Sequence, residues 1–564
     1  MSSELDGLAY DLILPELVML AGLLAIVLIP NLGDARVRLP LTSVRIPILL
    51  GGTRFTLTRD PRLPNALALV FLASSVALSA CMLLGETSGD FGNVLHIDRF
   101  SSLFTVIFTS ALLLVAIATT HRLPADPSAE TPKRRDSAEA EAAKINSLYD
   151  NRRQVDFHIL LLMAGLGMSL VAKSTHLFML FVCLELASLS SYVLVGFHKE
   201  SDVGGEAGTK YFIVGSVASA AGIYGMSLLY LWNGDLSISG LSSSWDAMEA
   251  LDPFAVIGVG LMLVAFGFKV GAAPFHLAIP DAYSGASSPV AGLLATASKA
   301  MGFVALMRVL IIVTMPSTGE GFWMAIIAAI AVITMTWGNL AALSSDNPKR
   351  ILAYSSVAHA GYMLAALAAI GTGLGDAAAN ALVVTAVLFH LTILVLFKLG
   401  AFLVLSMIET GGGSHRLEGL HGLARRDPII AASMFVFMLS LAGVPPFSGF
   451  LSKLLMINGI VNITAGTGSL TSSAVLPWAA SVDPVFWLAA AIVANSALSL
   501  FYYLRIGMVM FFEAPEDATP IVGAMPLRAA IAICAILTVL FGMGLLSEAA
   551  LDIVSGAADA FLGL

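Results

Sequence analysis

Along the chain, apolar stretches of about 20 residues alternate with short polar breaks, and each stretch is long enough to cross a bilayer as an α-helix. The stretches are continuous rather than alternating, which excludes barrel strands. Backbone groups in lipid must be satisfied within their own segment, which leaves a helical bundle. The pattern predicts an all-α polytopic membrane protein with fourteen spans, at about 12–30, 66–84, 101–119, 157–171, 177–197, 211–232, 253–275, 288–313, 321–343, 351–371, 378–408, 429–462, 483–505 and 525–547.

Composition agrees: 58% of the 564 residues are hydrophobic and 12% are charged, against about a quarter charged in soluble domains. Charge then orients the spans. With the N-terminus outside, loops 31–65, 120–156, 198–210, 276–287, 344–350, 409–428 and 506–524 face the cytoplasm and hold 20 Lys and Arg, whereas the opposite loops and termini hold only Arg99 and Lys173. This positive-inside imbalance predicts a multi-pass protein of the cytoplasmic (inner) membrane with both ends on the outer side. Loops 31–65 and 120–156 are long and polar, and the second is expected to be disordered or a surface helix.

Much chemistry is excluded. The acidic start MSSELDGLAYD lacks the basic region of a cleavable signal peptide. Cys81, Cys183 and Cys534 are isolated in apolar runs, with no CxxC spacing. No phosphate-cradling glycine loop, G-x-S-x-G elbow or H-E-x-x-H pair occurs. No metal or cofactor is therefore expected in this chain, and the net charge of −9 gives no footprint of a nucleic-acid partner.

Two spans are interrupted. GAAPF at 271–275 and GVPPF at 443–447 put Gly271 and Pro274, and then Gly443, Pro445 and Pro446, inside long apolar segments. The two glycines are five spans apart, and an odd number reverses direction in the membrane, as in an inverted repeat whose broken helices mark a transport site. The expected division is 1–156, three spans with two long cytoplasmic loops; 157–313, a first repeat; 321–505, a second, inverted repeat; and 506–564, a last helix and tail.

Charges also lie inside the apolar runs: Glu185, Lys269, Lys299, Lys398 and Lys453, with His359 and His390 mid-span. A lysine at a helix centre costs about 2.5–3.5 kcal/mol on insertion scales, so several of them suggest a wet or polar lining. Arg308, near the outer end of its span, can snorkel, while Arg505 and Arg528 sit at cytoplasmic ends; snorkelling is open to Lys398 as well, and a buried histidine is as often a hydrogen-bonded core residue. Burial lowers a lysine's proton affinity and a nearby carboxylate restores it. Moving Glu185 toward or away from Lys269 would thus switch proton affinity, and the broken helices would supply water, free carbonyls and a hinge.

The runs FKVGAAPFHLAIPDAYSGASSPVAGLLATASKA (268–300), DNPKRILAYSSVAHAGYML (346–364) and LSLAGVPPFSGFLSKLLM (439–456) resemble the proton-translocating, antiporter-like subunits of respiratory complex I, over about 157–510 and with LPEL (14–17) also fitting. Within that family the chain most resembles the N-type subunit. Lys453 follows the second break, the chain ends soon after its last span, and HRLEGLHGLARRDP (415–428) resembles the N-type loop. The two long basic loops depart from the family pattern. The resemblance implies fourteen helices with two inverted five-helix repeats. It implies a proton relay through Glu185, Lys269, Lys299, His359, Lys398 and Lys453. It also implies flavin, iron–sulfur clusters and quinone in partner subunits, with antiporter-like and small helical subunits as neighbours in the lipid bilayer. Two rival readings are a subunit of a multisubunit sodium/proton antiporter and a structural membrane anchor whose charges only stitch helices together.

Overall fold

The computed structural model describes residues 9–28, 32–38, 45–49, 63–120, 151–198, 201–314, 322–371, 376–410, 416–464, 484–514 and 524–563. Every predicted span falls on a helix. These are α1 (Leu14–Leu28), α2 (Leu63–Leu84), α3 (Arg99–Ala118), α4 (Asn151–Lys173), α5 (Leu177–Val195), α6 (Asp202–Asn233), the short α7 (Ile238–Asp246), α8 (Pro253–Val270), α9 (Ile279–Gly285), α10 (Ser288–Val313), α11 (Phe322–Leu343), α12 (Pro348–Ile370), α13 (Ala377–Thr410), the one-turn α14 (Leu423–Arg426), α15 (Pro428–Ala442), α16 (Ser448–Thr464), α17 (Phe486–Phe512), α18 (Met525–Gly542) and α19 (Ser547–Leu562). Thirteen helical segments among the described residues are long and apolar enough to cross a membrane. The second interrupted segment adds a further pair of shorter halves, α15 and α16.

The differences from the predicted boundaries have simple causes. The fourth span reaches back to Asn151 and the sixth to Asp202, because polar first turns extend a helix into the headgroup zone without changing its apolar core. Residues 276–287 form no free loop: a 3-10 turn at Phe275–Ala278 and then α9 continue the first broken helix, with Ile279, Pro280, Ala282 and Tyr283 buried. Beyond the last span, the tail carries α19, whose Val554, Ala557, Ala558 and Phe561 are buried and which packs on α3 and α13. The loop 31–65 holds an antiparallel hairpin, Leu32–Arg38 with Arg45–Leu49, and a second small hairpin pairs Gly89–Phe91 with Leu95–Ile97. The polar part of loop 120–156, up to residue 150, lies outside the described residues.

The helices differ in how deeply they sit. α10, α12 and α13 are buried over almost their whole length, whereas α1, α2, α6 and α18 bury about a third of theirs. The first group forms the centre, and the second presents Leu, Val and Phe outward, as lipid-facing helices do. Two cations counted as loop residues, Lys173 and Lys349, turn inward, and so does Arg308 from within its span. Lys173 donates to Glu16 Oε1 at 2.6 Å, joining the end of α4 to the LPEL turn of α1, with both side chains at most 5% exposed. Beside it, Arg308 donates to the Ala172 carbonyl at 2.6 Å and lies over the Phe100 ring, so it closes the end of α4 and does not reach out to solvent. Lys349, in the first turn of α12, pairs with Glu409 at 2.9 Å.

Candidate functional site

Both breaks end a helix in the same way. α8 closes on Gly271 (φ 83°, ψ 34°), whose N–H bonds Gly267 O, and the next N–H, of Ala272, also bonds Gly267 O. α15 closes on Gly443 (φ 81°, ψ 42°), with the Gly443 and Val444 N–H groups both on Leu439 O. This is the left-handed glycine cap that satisfies terminal carbonyls, and only glycine enters it without strain. Each cap also faces an ammonium: a Cβ at Gly271 would lie 3.6 Å from Lys299 Nζ, and one at Gly443 would lie 3.2 Å from Lys453 Nζ. The carbonyl end of a helix is its electronegative pole, so a cation is favoured there. Lys453 uses it directly, donating to Leu441 O at 2.9 Å and Ala442 O at 3.1 Å.

The row begins on α5. Glu185, half-buried, accepts from Ser219 on α6 at 2.6 Å. Two turns on, Tyr192 projects from the same face, and its hydroxyl accepts from Lys269 Nζ at 3.1 Å. Among the described residues no ion pair joins Glu185 to Lys269. Ser219 holds the carboxylate and Tyr192 the ammonium, so the two charges stand apart with hydroxyls on each. Gly215 makes this possible, since any side chain there would collide with the Tyr192 ring and hydroxyl. Gly302 similarly lets α10 approach Lys269 on α8.

Lys299, 1% exposed, donates to Ser356 O on α12 at 2.6 Å. The adjacent Ser355 faces the second half: its hydroxyl accepts from Lys398 Nζ at 2.5 Å and is hydrogen-bonded to Tyr503 OH. Tyr503 OH lies 3.3 Å from His359 Nε2. His359 Nδ1 lies 2.9 Å from His390 Nε2, with the two rings stacked, and His390 Nδ1 lies 2.8 Å from Ser452 Oγ, next to Lys453 in sequence. Lys398–Ser355–Tyr503–His359–His390–Ser452 is thus one unbroken string of polar contacts across α13, α12, α17 and α16. All six of these side chains are buried.

Five of the six sequence-selected residues are buried among other helices, and Glu185 is half-buried; the lysines do not snorkel, Lys398 included. Sequence reasoning missed Tyr192, Ser219, Ser355, Tyr503 and Ser452, and noted His390 without giving it a role. Only a polar residue spaced two turns from a buried charge, as Tyr192 is from Glu185, could have signalled them. The described residues hold no group of three or more His, Cys, Asp or Glu that could bind a metal ion.

Residues 174–477 match a family described as NADH:quinone oxidoreductase/Mrp antiporter, membrane region. The chain is 34% identical over 472 residues to NADH-quinone oxidoreductase subunit N 2 of Sorangium cellulosum, covering 80% of this chain and 83% of that one. It is 35% identical over 478 residues to subunit N of Rubrobacter xylanophilus, covering 85% and 88%. Among solved structures, a chain of respiratory complex I from Thermus thermophilus with bound aureothin superposes with a TM-score of 0.69 at 27% identity, over 96% of this chain and 99% of that one. A chain of the Mrp complex from a Dietzia species superposes with a TM-score of 0.74 at 20% identity over 98% of each, a likeness of fold alone.

Proposed function

Because the chain belongs to the NADH:quinone oxidoreductase/Mrp antiporter family, in its subunit N group, we propose that its buried row carries protons across the membrane while partner subunits pass electrons from NADH to quinone. The chain itself does no redox chemistry. Flavin, iron–sulfur clusters and the quinone site belong to partner subunits, and antiporter-like and small helical subunits flank this one in the cytoplasmic membrane. Both termini lie on the outer side, a placement supported by the imbalance of 20 cytoplasmic to 2 outer cations.

The observation that carries the reading is the unbroken string from Lys398 to Ser452. Hydroxyls and imidazoles are both donors and acceptors, so each contact in the string can hand on a proton without moving the backbone. Glu185, with Lys269 through Tyr192, couples the row to conformational change in a neighbour. Lys299 passes protons toward the His359–His390 pair, and Lys398 and Lys453 complete the second half. A lysine with no buried carboxylate counter-ion changes charge readily when its surroundings change. Moving one charge against 100 mV takes about 2.3 kcal/mol, and each tenfold change in proton affinity is worth about 1.4 kcal/mol, so a change of about a hundredfold in proton affinity suffices.

The matching caps at Gly271 and Gly443, each facing a lysine, support two inverted repeats over 157–313 and 321–505. The rival of a purely structural anchor is separated by Lys269→Met in the whole complex. A relay residue leaves assembly and NADH oxidation measurable but lowers the protons moved per NADH; an anchoring residue prevents assembly.

A further inference from the structure

We propose that Glu409 and Lys349 form the site through which the row is loaded with protons from the cation-rich face. The inference rests on the relay reading above. The pair is 2.9 Å apart, with side chains 5% and 2% exposed. Lys349 also donates to Ala286 O at 2.9 Å, and Glu409 Oε2 accepts from Ser288 N at 3.2 Å. The two charges therefore sit where the end of the first broken helix and the start of α10 meet the first turn of α12 and the last turn of α13. A cavity of about 10 Å³ lies against them, lined by Lys349, Glu409 and Arg416 together with apolar neighbours, which is room for roughly one water. Arg416 lies between α13 and α14, in the loop 409–428 that also carries Arg425 and Arg426.

The pair is aligned with the row. Glu409 and Lys398 are eleven residues apart on α13, three turns and about 16 Å, hence on one face. Lys349 and Ser356 are seven apart on α12, two turns and about 10 Å, and Ser356 O is the acceptor for Lys299. Two hydroxyls beside the pair, Ser288 Oγ and Ser406 Oγ, are buried with no hydrogen-bond partner. Such groups are costly unless water meets them, so they mark a path for water between the cavity and the row. A staple alone needs no charge, since well-packed apolar side chains hold a junction as well as a buried ion pair does.

In the loading step a hydronium in the cavity gives its proton to Glu409 Oε1. The O–H bond forms, the ion pair with Lys349 opens and water is released. Glu409 then returns the proton through water and Ser406 to the neutral amine of Lys398, and the pair closes again.

The test uses the whole complex in liposomes and reads protons moved per NADH oxidised for E409Q, E409D and, as a control on the relay itself, K398M. Glu409→Gln keeps an acceptor for Ser288 N but cannot titrate; Glu409→Asp keeps the titrating group. Since a positioned proton-transfer group is worth about 10²-fold in rate or more, delivery through this subunit falls behind NADH oxidation in E409Q, and the protons moved per NADH are expected to drop to the K398M value, while E409D restores most of the ratio. Pumping by E409Q equal to wild type, with K398M defective, overturns the inference and leaves the relay standing. An unaltered ratio in K398M overturns the relay and the inference with it. If E409Q does not assemble, the double variant Lys349→Met/Glu409→Leu decides. Assembly with a proton ratio as low as that of K398M supports loading, and assembly with the wild-type ratio shows a staple.

Discussion

Lys299 and Lys453 each rest against a left-handed glycine, and this contact explains both the break in the helix and the charge beside it. The glycine ends the helix, the exposed carbonyl pole favours an ammonium, and no side chain intervenes. Gly443→Ala would force a Cβ into a φ of 81°, 3.0 Å from Lys453 Cδ. The left-handed conformation alone costs about 1–2 kcal/mol, so a lower unfolding midpoint is expected, read by scanning calorimetry of the purified complex. His390→Leu interrupts the string between His359 and Ser452 without opening a large cavity. Its expected result is an assembled complex with a reduced proton-to-electron ratio. The lysines were legible in the sequence because a charge in an apolar run stands out. Ser355 was not, because Ser and Thr hydroxyls in membrane helices usually bond their own backbone, as Ser191 does with Ala187 O and Thr296 with Gly292 O; Tyr192 and Tyr503 were not, because a tyrosine in an apolar run reads as a packing residue. Which of them turns toward a neighbour depends on helix packing.

Among the elements, hydropathy located all the spans but misplaced their ends. α9 was read as a loop because residues 276–287 are short of strongly apolar side chains; Ile279, Pro280, Ala282, Tyr283 and Gly285 are nonetheless buried there, and the helix packs on α6 and α12. α19 was missed because its apolar residues follow a helical stripe and not a continuous run. Lys173 was assigned to a loop although it ends α4 and is paired with Glu16. Removing one partner of a buried pair costs about 3–5 kcal/mol. Lys173→Met should therefore lower stability sharply, and Glu16→Leu/Lys173→Met should recover much of the loss, both read as shifts in thermal unfolding of the purified complex.

For the whole molecule, the imbalance of cations is the ground for the proposed orientation. Single cysteines placed at the exposed Ser243, on α7, and at the exposed Arg425, on α14, should react with impermeant thiol reagents from opposite sides of the membrane, the second from the cytoplasmic side. Labelling of both from one side would contradict the topology. The most direct test of the relay is the number of protons moved per NADH oxidised by the complex carrying Lys398→Met, reconstituted in sealed liposomes. The account predicts an assembled complex with a ratio clearly below that of the wild type. A ratio equal to the wild type's would contradict it.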